Sequence, residues 1–243
     1  MNIYKARNKE GAMRGAIREL NVCLKGVKKN PVLLMVSGGS SLELLDGIEM
    51  RNVGKHITIT ALDERVSEDP AVNNFSQLVQ TEFYKKAERK GIDYIDTRLH
   101  RNISLGRFAG KFELGLRAWR RKHPKGKIMC AQGIGEDGHT AGILPYPENP
   151  RRFQWLFEKQ NQWVVGYNAT RRKSEYTRRI TVTLPFLRTE VDCSVAYATG
   201  SRKRKAVRRV SAKHGSLAKT PARILREMKN VTLFVDQSIK SKV

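Results

Sequence analysis

The sequence lacks a long hydrophobic stretch. Its longest segment without a charged residue covers 13 residues, from Asn30 to Leu42, whereas a helix that crosses a bilayer needs about 20 apolar residues. We therefore expect no membrane-spanning helix and no membrane partner. The segment Met1–Lys5 lacks the apolar core of a secretory signal, so export by that route is not expected and the predicted location is cytoplasmic.

Cysteine is scarce as well. The chain has 3 cysteines, Cys23, Cys130 and Cys193, and they are far apart in the sequence. They fit neither a disulfide framework nor a paired metal-binding motif. A reducing, cytosol-like compartment is therefore expected.

Acidic residues are few relative to basic ones. There are 47 Lys and Arg against 23 Asp and Glu, which gives a net charge of +24. The excess is largest in residues 146–243, which contain 22 basic and 7 acidic residues. Such a field attracts phosphorylated metabolites, nucleic acid or acidic membrane surfaces. Composition alone does not choose among them, and nonspecific polyanion binding is one expectation.

Short apolar or β-branched segments alternate with amphipathic ones. The patterns predict strands over residues 31–36, 56–62, 127–132, 163–167, 180–183, 194–198 and 231–235. They predict helices over residues 6–28, 75–90, 105–122, 204–213 and 221–228. Strands separated by helices are typical of a parallel sheet covered on both faces. We predict an α/β fold with a doubly wound, mainly parallel, Rossmann-like sheet and helices on both faces, in a single domain over residues 1–243.

Ligands of such folds bind beyond the carboxyl ends of the strands. The first predicted strand is followed by Ser37-Gly38-Gly39-Ser40-Ser41, and a helix is predicted from Leu42. Glycines permit close approach of the backbone to a ligand, and free amides at the start of a helix attract phosphate. An ordinary glycine-rich turn explains the segment equally well.

The second predicted strand is followed by Asp63-Glu64-Arg65. A carboxylate pair beside an arginine suits a site that handles both protons and an anion. A solvated salt bridge in a loop is the alternative interpretation.

The third predicted strand leads into the segment Gly133-Ile134-Gly135-Glu136-Asp137-Gly138-His139-Thr140. Its glycines allow the loop to approach a substrate. Asp137 stands two residues before His139, and an aspartate near a histidine orients the ring and favours its charged form. This context favours a functional histidine over a structural one. Zinc is not predicted, because no second His or Cys stands at ligand spacing.

Basic residues flank two later strands. Arg178-Arg179 stands at the start of one strand, and Gly200-Ser201-Arg202-Lys203 follows another. Arg and Lys at such places can clamp a phosphate. The run 202–205 carries more charge than one phosphate needs, and most of it is interpreted as a solvated basic helix face.

Taken in this order, the segments resemble 6-phosphogluconolactonase, within the larger group that includes glucosamine-6-phosphate deaminase/isomerase. The resemblance spans nearly the whole chain. Residues 37–40 resemble the family's phosphate loop, residues 63–65 its Asp-Glu-Arg motif, and residues 133–141 its most specific signature. Residues 179–181 resemble its arginine-strand segment.

Two positions refine the resemblance. Gly200-x-x-Lys203 resembles the family's GxxK motif, although Lys205 supplies the lysine after a two-residue shift. Leu144 stands where the deaminase branch has a glutamate that assists proton chemistry, which favours the lactonase branch.

The resemblance implies an enzyme that hydrolyses 6-phosphoglucono-1,5-lactone to 6-phosphogluconate in the oxidative pentose phosphate pathway. Under this hypothesis His139 is the general base, Asp137 orients it, and Asp63 positions substrate or a proton. Backbone amides between residues 135 and 138 stabilise the oxyanion. The phosphate is held by Gly38, Gly39, Ser40, Arg65, Arg179 and Lys203. No metal, no organic cofactor and no obligatory protein partner is expected.

Other functions stay open at the level of sequence. The first is a glucosamine-6-phosphate deaminase/isomerase-like enzyme, and the second is a non-catalytic protein that binds a sugar phosphate. A nucleic-acid binder is a third interpretation, suggested by the net charge of +24.

Overall fold

The computed structural model describes residues 1–98 and 103–239. Its strands are β1 (Asn2–Ala6), β2 (Val32–Val36), β3 (Ile57–Ala61), β4 (Asp63–Arg65), β5 (Asp93–Ile95), β6 (Lys127–Gly133), β7 (Val164–Asn168), β8 (Arg178–Val182), β9 (Cys193–Ala198) and β10 (Val231–Asp236). Its α-helices are α1 (Lys9–Gly26), α2 (Asn74–Gln80), α3 (Glu82–Arg89), α4 (Leu105–Lys122), α5 (Pro150–Phe157), α6 (Leu184–Thr189) and α7 (Arg204–Ser211). Short 3-10 helices cover Gly39–Gly47, Met50–Asn52, Ser201–Lys203, Pro221–Arg226 and Gln237–Ile239.

A parallel central sheet organises the molecule. Its seven strands lie in the order β1-β10-β9-β6-β2-β3-β5, and every pairing between neighbours is parallel. The chain builds outward from β2 through β3 to β5, and then returns to the other side of β2 to place β6, β9 and β10. The strand order therefore reverses between β2 and β6, which is where a crevice forms in folds of this type.

Both faces of the sheet are buried, as the uninterrupted apolar composition of its central strands requires. Along β2, Leu33 and Met35 pack on one face with helices α4 to α7. Val32 and Leu34 pack on the other face with α1, α2 and α3. The predicted doubly wound α/β fold, with helices on both faces, is confirmed.

The expectation of one sheet for all strands is wrong at two places. The predicted strands at 163–167 and 180–183 exist as β7 and β8, but they pair antiparallel with each other and with β4 in a second, three-stranded sheet. The physical reason is the connection, because residues 169–177 between β7 and β8 contain no helix. A parallel crossover needs a dozen or more residues, whereas an antiparallel pair can be joined by a short loop.

Several element boundaries also differ from the prediction. Helix α4 is confirmed at residues 105–122, but the helix predicted over 75–90 is divided at Thr81 into α2 and α3. The Thr81 hydroxyl donates to the Leu78 carbonyl and accepts from the Tyr84 amide, so it ends one helix and caps the next. The segment from Pro221 forms a 3-10 helix instead of an α-helix. Strands β1, β4 and β5 and helices α5 and α6 were not predicted.

None of the helices in the described part of the chain has the length and hydrophobicity of a membrane-spanning segment.

Candidate active site

An open cavity lies beyond the carboxyl ends of β2, β3, β6 and β9, at the position where the strand order reverses. Its volume is about 300 Å³. Eight of the nine predicted site residues line it: Gly38, Gly39, Ser40, Asp63, Arg65, His139, Arg179 and Lys203. The ninth, Asp137, is hydrogen-bonded to His139. The structure thus brings together residues that span 166 positions of the sequence, from Gly38 to Lys203.

The His139 ring is held by Asp137. The distance from His139 Nδ1 to Asp137 Oδ1 is 2.7 Å, and the His139 amide donates to the same oxygen over 3.0 Å. Burial opposes ionisation of Asp137, but its hydrogen bonds and charge interaction with His139 keep its pKa below the ordinary value. The side chains are 40% and 41% exposed, so a ligand in the cavity can reach the ring.

The loop that carries this pair is fixed by its own backbone. The Gly135 amide donates to the His139 carbonyl over 2.9 Å, and the Gly138 amide donates to the Gly135 carbonyl over 3.0 Å. Arg209 donates to the Asp137 carbonyl over 2.7 Å. A Cβ at position 135 would collide with the His139 ring, so only glycine leaves room for the imidazole there.

These bonds narrow one prediction about the loop. The backbone amides between residues 135 and 138 were candidates for stabilising an oxyanion, and those of Gly135 and Gly138 are two of them. Both already donate to carbonyls within the loop, and each amide has a single proton to donate. They are therefore committed to the loop and not free for a substrate oxygen.

The end of the loop is held by the second sheet. The Thr181 hydroxyl on β8 donates to the Ala141 carbonyl, and the Tyr167 hydroxyl on β7 donates to the Gly142 carbonyl. Ala141 has a φ of 49°, a left-handed conformation that a residue with a Cβ adopts at a cost of about 1–3 kcal/mol. Side chains of the small sheet thus hold a strained backbone two residues after His139.

Asp63 and Glu64 lie in different environments, which corrects the idea of a carboxylate pair in one site. Successive side chains of a strand point to opposite faces. Asp63 lines the cavity, where Asn74 Nδ2 donates to its carbonyl over 2.8 Å and to its Oδ2 over 3.2 Å. Burial raises the pKa of Asp63, and charge interactions with Arg179, His139 and Arg65 oppose that shift.

Glu64 instead caps helix α2. Its carboxylate accepts from the amides of Asn74 and Phe75 over 2.6 and 2.9 Å, and from the Thr97 hydroxyl over 3.0 Å. Burial raises the pKa of Glu64 to about 8, although these donors favour its charged form. The side chain acts through its neighbours, because it fixes the start of the helix that presents Asn74 to the cavity.

Arg65 and Arg179 form the cationic wall of the cavity. They are directly opposite residues of the antiparallel pair β4–β8, and like charges in such positions repel. Arg179 is held by the Tyr176 carbonyl over 3.1 Å and by the Ser174 hydroxyl over 2.8 Å. The Arg65 guanidinium lies 5.3 Å from the centre of the Tyr176 ring. An anion between the two arginines would relieve their repulsion.

Lys203 is the lysine that lines the cavity, and the exposed Lys205 does not. The sequence left these two alternatives open. Lys203 ends the 3-10 helix that follows Gly200, whose φ of 94° turns the chain after β9. Burial lowers the pKa of Lys203.

The glycine loop Ser37–Ser40 lies against Asn74. Its helix starts at Gly39 as a 3-10 helix, not at Leu42 as predicted, and no side chain caps that end. A Cβ on Gly38 would collide with the Asn74 amide. The first amides of a helix have no partner within it. Gly39 and Ser40 line the cavity, so their amides can donate hydrogen bonds to a ligand there.

Several cavity residues received no role from the sequence. Asn74, Ser37, Glu136 and Gly142 line the cavity beside the predicted residues. Within the described residues, Ser37 Oγ, Arg65 Nε and Asn74 Oδ1 are buried and have no hydrogen-bond partner. Buried polar atoms normally have partners, and all three belong to residues of the cavity wall. The one sequence signal for Asn74 was its place shortly after the Asp-Glu-Arg segment.

The fold and the cavity define an α/β protein with a basic ligand pocket at the switch point of a parallel sheet. The family model described as "Glucosamine-6-phosphate isomerases/6-phosphogluconolactonase" matches residues 8–234. The chain therefore belongs to that family of enzymes, as the motifs predicted. No curated protein matched the sequence.

Solved structures show the same fold. A 6-phosphogluconolactonase from Leishmania guyanensis is 20% identical, with a TM-score of 0.76 over 100% of this chain and 98% of that one. The enzyme of that name from Trypanosoma brucei is 16% identical, with a TM-score of 0.73 over 98% and 97%. That from Thermotoga maritima is 17% identical, with a TM-score of 0.73 over 97% and 99%.

Proposed function

We propose that this protein hydrolyses 6-phosphoglucono-1,5-lactone to 6-phosphogluconate, a step of the oxidative pentose phosphate pathway. Membership of the family and the names of the structural neighbours support the choice of reaction. The observation that carries the proposal is the arrangement of the cavity, where the His139–Asp137 pair and the basic residues Arg65, Arg179 and Lys203 share one space.

The phosphate of the substrate binds between Arg65 and Arg179. Charge-assisted hydrogen bonds to a phosphate are roughly twice as strong as neutral ones. Lys203 adds a further positive charge, and the loop Gly38–Ser40 adds backbone donors. Burial of the Arg65 and Arg179 side chains costs little in the complex, because the bound dianion neutralises both.

His139 acts as the base at the other side of the cavity. Its Nε2 takes a proton from water as the water oxygen attacks the lactone carbonyl carbon. The carbonyl oxygen carries the negative charge of the resulting tetrahedral intermediate. When the intermediate collapses, the bond from C1 to the ring oxygen breaks, and the imidazolium returns the proton to that oxygen. Asp137 stabilises the charged ring in between.

Asp63 contacts the sugar next to the reacting carbon. Its carboxyl lies in the cavity wall and is held by Asn74. Burial raises its pKa, the nearby arginines oppose that shift, and its carboxyl oxygens accept hydrogen bonds from sugar hydroxyls. It positions the ring and does not attack it.

Leu144 favours hydrolysis over deamination. In the deaminase branch the corresponding position is a glutamate. Here Leu144 is buried in the core with 2% exposure and does not line the cavity. The position supplies no proton-transferring group.

The test is an assay with freshly generated 6-phosphoglucono-1,5-lactone, corrected for spontaneous hydrolysis. Removal of a general base typically costs 10²- to 10⁴-fold in rate, so we expect His139→Ala to lose nearly all acceleration. His214→Ala is the matched control, because His214 is exposed and outside the cavity. No acceleration by the wild type, or full activity of a folded His139→Ala variant, would contradict the proposal. Release of ammonia from glucosamine 6-phosphate would assign the deaminase reaction instead.

A further inference from the structure

A second cavity lies at the other end of the central sheet, near the amino ends of β6, β9 and β10. Its volume is about 420 Å³, and its lining includes Cys23, Cys193, Glu19, Lys127 and Asp192. Cys193 is the first residue of β9, whereas the active-site loop with Lys203 follows the last residue of that strand. The two cavities are thus separated by the length of β9, about 16 Å at the rise of a strand.

The two cysteines of this cavity are in contact. Cys23 lies in the last turns of α1, and the distance between its Sγ and the Sγ of Cys193 is 2.8 Å. A disulfide bond requires about 2.05 Å, so the two sulfur atoms would have to approach each other by only about 0.75 Å. Both side chains are half-buried and reach the cavity, which admits a small molecule to the sulfur atoms.

The two thiols are also chemically unequal. The hydrogen bond between them lowers the pKa of Cys23 and raises that of Cys193. The thiolate is the reactive form of cysteine, which favours Cys23 as the nucleophile and Cys193 as the partner that resolves the first product. Cys130 differs from both, since it is fully buried and burial raises the pKa of its thiol.

We propose that Cys23 and Cys193 form a reversible redox site, which a peroxide that enters this second cavity converts to a disulfide. The Cys23 thiolate attacks one oxygen of hydrogen peroxide, the O–O bond breaks, and the departing oxygen leaves as water after taking a proton. The Cys193 sulfur then attacks the sulfenic acid on Cys23, forms the S–S bond and releases a second water. The thiols lose two electrons and two protons, and a dithiol reductant reverses the reaction.

The sequence argues against such a site, because residues 23 and 193 are 170 positions apart. The fold creates the contact, because it packs helix α1 against strand β9. The bond would tie the first long helix to a central strand and close a loop over most of the chain. Constraining a loop of this length restricts the unfolded chain strongly.

The test uses the complete protein, reduced and then freed of reductant. Samples are treated with a small excess of hydrogen peroxide and unfolded in the presence of an alkylating reagent. The protein mass, measured by mass spectrometry, then gives the number of alkyl groups added. Cys130 is the internal control. We expect the oxidised wild type to take up one alkyl group and the reduced wild type three, with a Cys23–Cys193 cross-linked peptide in the digest. Dithiothreitol should restore the uptake of three.

In Cys23→Ser, the uptake should be two groups before and after the treatment. In Cys193→Ser, Cys23 still reacts with the peroxide but has no resolving partner, so it should gain oxygen and the uptake should fall from two groups to one. Neither variant should form the cross-link, and both are checked for folding by circular dichroism. In the oxidised wild type, uptake of three groups, oxygen on Cys23 without a cross-link, or a cross-link to Cys130 would overturn the proposal. The oxidised wild type should also unfold at a higher temperature than the reduced protein. Equal midpoints would mean that the bond forms outside the native arrangement. None of these readouts depends on lactone hydrolysis.

Discussion

Arg65 on β4 and Arg179 on β8 face each other directly across an antiparallel pair, both on the wall of the active-site cavity. Two positive charges in these positions repel unless an anion lies between them. The pair therefore predicts that phosphate binds to and stabilises the protein even when no reaction takes place.

Inorganic phosphate and 6-phosphogluconate should raise the thermal midpoint of the wild type, because a ligand that binds only the folded state stabilises it. Arg65→Ala should reduce that rise and increase KM by about tenfold or more, with a smaller effect on kcat. Arg178→Ala is the control, because Arg178 is exposed on β8, directly before Arg179. An unchanged KM in Arg65→Ala would remove Arg65 from the phosphate site.

Asp137 should affect the rate and not the affinity. In Asp137→Asn the side chain keeps an acceptor oxygen but loses the charge that stabilises the protonated ring of His139. We expect kcat to fall by at least about tenfold with KM nearly unchanged. Because Asp137 acts through His139, the double variant with His139→Ala should be no slower than His139→Ala alone. Additive losses would show that Asp137 acts independently.

Lys203 predicts a pH dependence of binding. Because burial lowers its pKa, Lys203 loses its proton at a lower pH than an exposed lysine does. Binding of 6-phosphogluconate, measured by calorimetry, should weaken as the pH rises through that pKa. In Lys203→Arg the charge persists and the weakening should move to higher pH. Lys205→Ala should leave the affinity unchanged. A pH profile of Lys203→Arg equal to that of the wild type would contradict this role.

Glu64 predicts a pH dependence of stability. Its pKa is about 8 in the folded protein against 4.5 for an ordinary glutamate, so between these values the folded state binds the additional proton. The free energy of unfolding should therefore fall as the pH rises through this window. Urea unfolding at about pH 5 and about pH 8 should show a smaller decrease for Glu64→Gln than for the wild type. Glu68→Gln, at an exposed position, should behave as the wild type. Equal decreases for the wild type and Glu64→Gln would place the titration elsewhere.

Most of the motifs that the sequence revealed directly follow strands, and the exception is Arg178-Arg179, which stands at the start of β8. Loops such as 37–41 and 133–140 stand at the carboxyl ends of β2 and β6, and a parallel sheet brings those ends together without further information. The central strands were recognisable because burial on both faces makes them continuously apolar. The edge strands β1 and β5 were missed because most of their residues are exposed and polar.

The remaining features depend on packing between distant segments. Nothing local to Glu64 shows that it caps α2, since the helix starts ten residues later. The antiparallel sheet was missed because β4 is three residues long and gains its partner only from β8. The contact between Cys23 and Cys193 likewise follows from the seating of α1 on the sheet.

Strand β8 contributes Arg179 to the cavity wall and, through Thr181, contacts the loop that carries His139. Arg179 and Thr181 are two residues apart, so their side chains lie on the same face about 7 Å apart along the strand. Arg179 lines the cavity, and Thr181 holds the carbonyl of Ala141, two residues after His139. Under the proposed function, one repeat of this strand therefore separates an arginine of the phosphate site from the threonine that holds the loop of the base. Strand β8 would then contribute to substrate selection, because it favours sugar lactones with a fixed number of carbons between the phosphate and the carbonyl.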